Sequence, residues 1–160
     1  MTANDTVIIL LAGAGATAWT DLWSLVRRRM FGTPLPNFGL VGRWIAHMAR
    51  GRFRAAPIAG VPPVRAEGAI GWITHYVIGM AFALLLPAFW GRDWILHPTL
   101  LPALIVGIVT VAAPYFVMQP AMGLRPSAVA RLHSLITHAM FGLGLYLAGM
   151  VVSSLLGAIT

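Results

Sequence analysis

The sequence predicts an all-α integral membrane protein, a bundle of four transmembrane helices with a short cytoplasmic interfacial helix between spans one and two. Of its 160 residues, 59% are hydrophobic and 9% are charged, whereas about a quarter of the residues are charged in a soluble domain. The mean hydropathy is +0.82. The apolar residues also fall into four stretches near the roughly 20 residues that a membrane-spanning helix needs. We therefore predict a single membrane domain over residues 1–160.

Charge and cysteine content exclude several classes of protein. The chain has eleven arginines, no lysine and four acidic residues, which gives a formal net charge of +7. Because so few residues are charged, a soluble nucleic-acid-binding module is excluded and no nucleic-acid partner is expected. With no cysteine, the chain has no disulfide and no thiolate metal site. It also carries no phosphate-binding glycine loop, HExxH or GxSxG motif, which favours a protein that is not an enzyme.

Four apolar stretches define the predicted spans. The first begins after Asp5 and ends at an arginine triplet, whereas a signal peptide carries its positive charge before the apolar stretch. We therefore expect the first stretch to remain in the mature protein. Prolines that interrupt helical hydrogen bonding are expected to kink or end helices at Pro87, Pro102 and Pro114. The predicted spans are residues 6–26, 68–89, 99–118 and 128–158.

One long connection, residues 27–67, holds eight of the eleven arginines. Within it, residues 39–53 place apolar and basic side chains at helical spacing, which is typical of a short helix lying in the membrane interface. An ordinary arginine-rich cytoplasmic loop is the alternative. The arginines predicted to contact anionic lipid headgroups are Arg27, Arg28, Arg29, Arg43, Arg50, Arg52 and Arg54.

Arginine counting predicts the orientation, because short cytoplasmic loops carry the positive excess. The first loop holds eight arginines and the third holds Arg125, with Arg131 just inside the next helix, whereas the second holds only Arg92. We therefore expect a bacterial inner-membrane protein with both termini in the periplasm.

Three ionisable residues stand out inside the predicted spans: Asp21, His75 and His138. An ionisable side chain in a membrane costs about 2.5–3.5 kcal/mol on insertion scales, so it is by default a functional hypothesis. At 1.5 Å per residue, these three lie roughly 9, 12 and 10 Å from the cytoplasmic boundary. Small residues one turn away place each of them on a helix-packing face. The secondary polar candidates near the same side are Thr17, Tyr76, Gln119, His133 and Ser134.

Several chemistries suit one carboxylate and two imidazoles. The sharpest hypothesis is that Asp21, His75 and His138 bind a divalent metal ion or another cation, with transport as its extension. Haem b held between the two histidines and a proton relay are further alternatives. In a fourth alternative, the three residues only form hydrogen bonds between helices, and the protein has a structural or assembly role. A homodimer is also expected, through glycine-rich helix faces that include Gly142, Gly144 and Gly149.

Longer strings of the sequence resemble a known family. TDLWSLVRRRMFGTPLPNFGLVGRW, GWITHYVIGMAFA, LLPALIVGIVTVAAPYFVMQPAMG and RLHSLITHAMFGLGLY are similar to bacterial inner-membrane proteins of the domain of unknown function twenty-nine thirty-eight. The resemblance covers about residues 13–146 and is specific as a combination of strings. It implies a four-span bacterial membrane protein and carries no catalytic role.

Overall fold

The computed structural model describes residues 1–54 and 57–157, so Ala158, the predicted end of the fourth span, lies outside the described residues. Within these ranges the chain is helical and contains no strand, which confirms the predicted all-α class. A 3-10 turn at Ile58–Gly60 and a π-helix at Ala113–Met118 accompany the α-helices. The α-helices are α1 (Ala3–Phe31), α2 (Phe38–Met48), α3 (Glu67–Ala83), α4 (Leu85–Leu96), α5 (Leu100–Val109), α6 (Gln119–Ala121) and α7 (Ala128–Gly157).

Helix α1 is longer at both ends than its apolar stretch predicts. At its start, Thr2 and Asp5 form a reciprocal capping box, and the Asp5 carboxylate also accepts a hydrogen bond from Arg92 at 2.9 Å. At its end, the helix continues through the arginine triplet until Gly32, whose φ of +64° suits a glycine and whose N–H donates to the Arg28 carbonyl. The charges of this arginine triplet therefore lie on the last turns of α1 and not in the following loop.

The second apolar stretch forms two helices, α3 and α4, whose axes differ by 60°. Proline has no N–H to bond the carbonyl four residues earlier, and its ring clashes with that carbonyl. For Pro87 this residue is Ala83, where α3 ends. The bend thus arises where Pro87 predicts a kink. Helical turns continue beyond the predicted end at residue 89 to Leu96, with a break at Gly91, whose φ of +70° is not helical.

The third apolar stretch is interrupted in the same way. Helix α5 ends at Val109, and Pro114 cannot bond the carbonyl of Thr110. The chain then continues as the π-helix Ala113–Met118, a rare wide turn that is frequent at functional sites.

Helix packing follows the order α3, α1, α7, α5, with α2 lying against α3. Glycines allow the closest approaches. The glycines that were expected to serve a homodimer make contacts within this chain: Gly142 meets α5, Gly144 meets Ala16 and Trp19 of α1, and Gly149 meets Trp94. These three glycines therefore pack against other helices of the same chain, and the homodimer stays a prediction.

Three helical segments among the described residues are long and apolar enough to cross a membrane: Ala3–Phe31, Leu100–Ala121 and Ala128–Leu155. The bent pair α3 and α4 passes the same length and composition test when the two helices are taken together. The number of candidate spans is therefore three, or four if the bent pair counts as one broken span.

Candidate functional site

The Asp21 carboxylate joins α1 to α3. Its Oδ1 lies 3.0 Å from Nε2 of His75, and its Oδ2 accepts a hydrogen bond of 3.0 Å from the Tyr76 hydroxyl. His75 and Asp21 have 24% and 22% of their side-chain surface exposed, so the pair is accessible and not sealed in the core. We call these three residues the Asp21 group.

A close helix contact positions the Asp21 group. One turn before Asp21, the buried Thr17 hydroxyl donates to the Gly13 carbonyl of its own helix at 2.8 Å. Opposite, one turn after His75, a Cβ at Gly79 would overlap the Thr17 hydroxyl oxygen. The absence of a side chain at residue 79 leaves room for the Thr17 hydroxyl, so α1 and α3 approach closely enough for the carboxylate to meet the imidazole.

The first turn of α2 covers His75. The Phe38 ring stacks on the imidazole with centroids 4.2 Å apart and an interplanar angle of 28°. Glycines again permit the contact, because a Cβ at Gly71 would overlap the Phe38 carbonyl oxygen and a Cβ at Gly42 would overlap the Glu67 carbonyl oxygen. Helix α2 therefore forms one wall of the site.

An ion pair between Arg43 of α2 and Glu67 of α3 holds α2 in this position. Nε and Nη2 of Arg43 donate to the two carboxylate oxygens of Glu67 at 2.8 and 2.7 Å, and Nη1 donates to the Val61 carbonyl at 2.8 Å. Hydrogen bonding to Glu67 raises the pKa of Arg43 above its usual value. The structure thus corrects the prediction that Arg43 faces lipid headgroups, because its guanidinium is satisfied inside the protein.

Asp21 and His75 border an open cavity of about 550 Å³, whereas Tyr76 is outside its lining. Its walls come from α1, α2, α3, the π-helix and the first half of α7. Most of the wall is apolar, with a few hydroxyl, amide and ionisable groups among the lining residues. Three secondary candidates from the sequence, Thr17, Gln119 and Ser134, line it together with Thr137.

His138 lies on the α7 side of the same cavity but is bonded elsewhere. Its Nδ1 is 3.0 Å from the Thr110 hydroxyl, which also bonds the Gly107 carbonyl at 2.7 Å. Among the residues that the structure describes, no group of three or more His, Cys, Asp or Glu side chains is arranged to hold a metal ion. The expected metal site of Asp21, His75 and His138 is therefore not supported, because α3 holds Asp21 while α5 holds His138.

The remaining predicted residues have separate places. His133 is outside the cavity lining, and its carbonyl accepts from the Thr137 hydroxyl of the next turn. Arg27 is half-buried. The exposed arginines among those predicted to bind headgroups are Arg28, Arg29, Arg50, Arg52 and Arg54.

Sequence reasoning missed two residues that shape the site, Phe38 and Thr110. The sequence contained a signal for Thr110, because this threonine places a hydroxyl group inside an apolar stretch, four residues before Pro114. Phe38 had no such signal, because its contact with His75 depends on where α2 docks.

Comparison with known proteins identifies the family. The family described as "Protein of unknown function (DUF2938)" matches residues 9–152, which is most of the chain. No curated protein and no solved structure matches the chain. The family predicted from the sequence strings is confirmed, and this chain belongs to the DUF2938 family.

Proposed function

We propose that this protein spans the bacterial inner membrane four times and binds a small, largely apolar molecule in the cavity, with the Asp21 group as the polar end of the site. The bent pair α3 and α4 then counts as one broken span. Both termini are periplasmic, and the exposed arginines of residues 27–54 face anionic headgroups on the cytoplasmic side.

The observation that carries the proposal is the cavity itself. Its volume of about 550 Å³ falls within the roughly 300–1,000 Å³ of small-molecule sites, which are mostly apolar with a few polar groups. An ionisable pair beside such a cavity fits the general rule that intramembrane ionisable residues line ligand or ion pathways.

The π-helix adds support for a binding role. Pro114 and the wide π-turn leave the α-helical hydrogen-bond pattern interrupted beside the cavity, and the segment from Ala113 to Gln119 supplies lining residues. Irregular backbone at membrane depth is tolerated where it lines a cavity.

A structural role is the second candidate. The Asp21 group ties α1 to α3, and the His138–Thr110 bond ties α7 to α5. Interhelical hydrogen bonds of this kind contribute about 0.6 to 2 kcal/mol each in membranes. Under this alternative the cavity receives no ligand.

Access to the cavity separates the two candidates. The chain contains no cysteine, so single-cysteine variants report one site each. We expect Thr137→Cys, which lines the cavity, to react with N-ethylmaleimide in membrane vesicles about tenfold faster than Ile136→Cys, because only a hydrated thiol ionises readily. The measurement is the labelled fraction over time by mass spectrometry.

Ile136→Cys is a matched control, since the neighbouring residue lies at the same depth but is 39% exposed on the outer surface of α7. Equal, slow labelling of both variants would contradict a ligand-accessible cavity and favour the structural role.

Topology is tested separately with reporter fusions. If the bent pair crosses the membrane, reporters at the two termini are expected to be active on the same, periplasmic side. Reporters active on opposite sides would make the pair a re-entrant hairpin and leave three spans. Activity of both reporters on the cytoplasmic side would show that the orientation is the reverse of the proposed one.

A further inference from the structure

We infer that the ligand of the cavity is a lipophilic organic cation, an apolar molecule that carries one positive charge. The inference rests on the proposed function and names the class of molecule that the same site takes. Three features of the cavity lead to it: the charge of its lining, the placement of the arginines outside that lining and its aromatic rings.

The charge of the lining is the first argument. Its ionisable side chains are Asp21, His75 and His138. The Asp21 oxygens accept from the Tyr76 hydroxyl and meet the His75 imidazole, which matches an ionised carboxylate because that form offers acceptors only. The polar end of the cavity thus presents the Asp21 carboxylate, the one acidic side chain among the described lining residues.

The placement of the arginines is the second argument. The chain has eleven of them, yet none contributes to the cavity lining in residues 1–54 and 57–157. Arg43 lies in sequence between two lining residues, Val41 and Trp44, but Glu67 holds its guanidinium. No guanidinium in this lining recognises an anion, and none repels a cation.

Aromatic rings supply the third argument. Phe38, Trp44, Phe82 and Phe141 line walls formed by three different helices. A cation within about 6 Å of an aromatic centroid is attracted by the negative face of the ring, and apolar walls suit an apolar body. A bare metal ion needs instead several converging ligands, and the described part of the chain has no group of three or more His, Cys, Asp or Glu side chains that could hold one.

Tetraphenylphosphonium is the probe, and tetraphenylborate is its control of the same shape and opposite charge. We expect isothermal titration of the purified full chain in an uncharged maltoside detergent to give saturable 1:1 binding of the cation with a micromolar Kd. Tetraphenylborate is expected to show only unsaturable partitioning into the micelle. Saturable borate binding as tight as that of the phosphonium would overturn the inference.

Two aspartate variants locate the charge. Asp21→Asn is expected to raise the Kd for tetraphenylphosphonium at least about tenfold, because it removes the negative charge of the site. Asp93→Asn makes the same charge change at an exposed residue outside the cavity lining and is expected to leave the Kd unchanged. Equal Kd values for the two variants would also overturn the inference.

The comparison of cation with anion uses the unchanged protein, so it stands even if Asp21→Asn fails to fold.

Protection of Thr137→Cys from N-ethylmaleimide by tetraphenylphosphonium, and not by tetraphenylborate, is a second readout. Fast labelling of Thr137→Cys without any phosphonium binding contradicts the charge class alone. Labelling no faster than that of Ile136→Cys contradicts the proposed function itself.

Discussion

Replacing Gly71 by alanine is expected to displace α2 from α3 and to give one of the two largest losses of stability predicted for this protein. A Cβ at this position would overlap the Phe38 carbonyl oxygen and lie 2.6 Å from the Phe38 carbonyl carbon. These are backbone atoms, so no side-chain rotation relieves the overlap and the helix has to shift. We expect Gly71→Ala to destabilise the protein by about 3 kcal/mol, at the upper end of overpacking effects.

The same change is expected to alter the cavity. Phe38 stacks on His75 only while α2 is docked, so undocking removes one wall and raises the N-ethylmaleimide reactivity of Thr137→Cys in the double variant. Stability is read from the thermal midpoint in detergent, and access is read from the labelling rate.

Gly68→Ala is the control, because it lies one turn earlier on α3 and a Cβ there meets open space. Alanine is favoured over glycine in helices by about 0.5–1 kcal/mol, so this variant is expected to keep or slightly raise the midpoint. If Gly71→Ala behaves like Gly68→Ala, α2 does not pack on α3 through this glycine.

The second large effect is expected from Gly107→Ala, at the crossing of α5 and α7. A Cβ here would lie 2.5 Å from the His138 carbonyl oxygen and 2.6 Å from both the nitrogen and Cα of Gly142. The backbones have to separate, and we expect a loss of about 2–3 kcal/mol, again measured against Gly68→Ala.

Separation of α5 from α7 also breaks the bond between His138 and Thr110, whose atoms are 3.0 Å apart. Thr110→Val removes that bond without adding a Cβ, and its expected loss is about 1 kcal/mol, typical of one interhelical hydrogen bond. A Thr110→Val loss as large as that of Gly107→Ala would make the hydrogen bond, and not the backbone approach, the main contribution of this crossing.

The helical class and much of the helix placement were predictable from the sequence. Long apolar stretches with few charges favour helices, because a helix satisfies its backbone groups within one segment. The breaks were also local properties, because the missing N–H of Pro87 and of Pro114 acts on a carbonyl four residues away. Helix ends were less predictable: α1 continues through the arginine triplet until Gly32.

For the candidate site, the sequence predicted only that its three ionisable residues lie at nearly the same level along their helices. Counting residues from the membrane boundary placed Asp21, His75 and His138 at nearly the same level, and all three line one cavity. Residue counting says nothing about which helices are neighbours. The packing order puts α1 against α3 and α7 against α5, so Asp21 bonds His75, and His138 bonds Thr110 instead of completing a metal site.

The sequence by itself thus determined the family, the helical class, the apolar segments and the common level of the three ionisable residues, because these depend on composition and on a fixed rise per residue. Only the tertiary structure decided that Arg43 pairs with Glu67, that Phe38 stacks on His75 and that a cavity lies between the two histidines. These contacts join segments far apart in the chain, and they exist only where glycines let particular helix backbones approach.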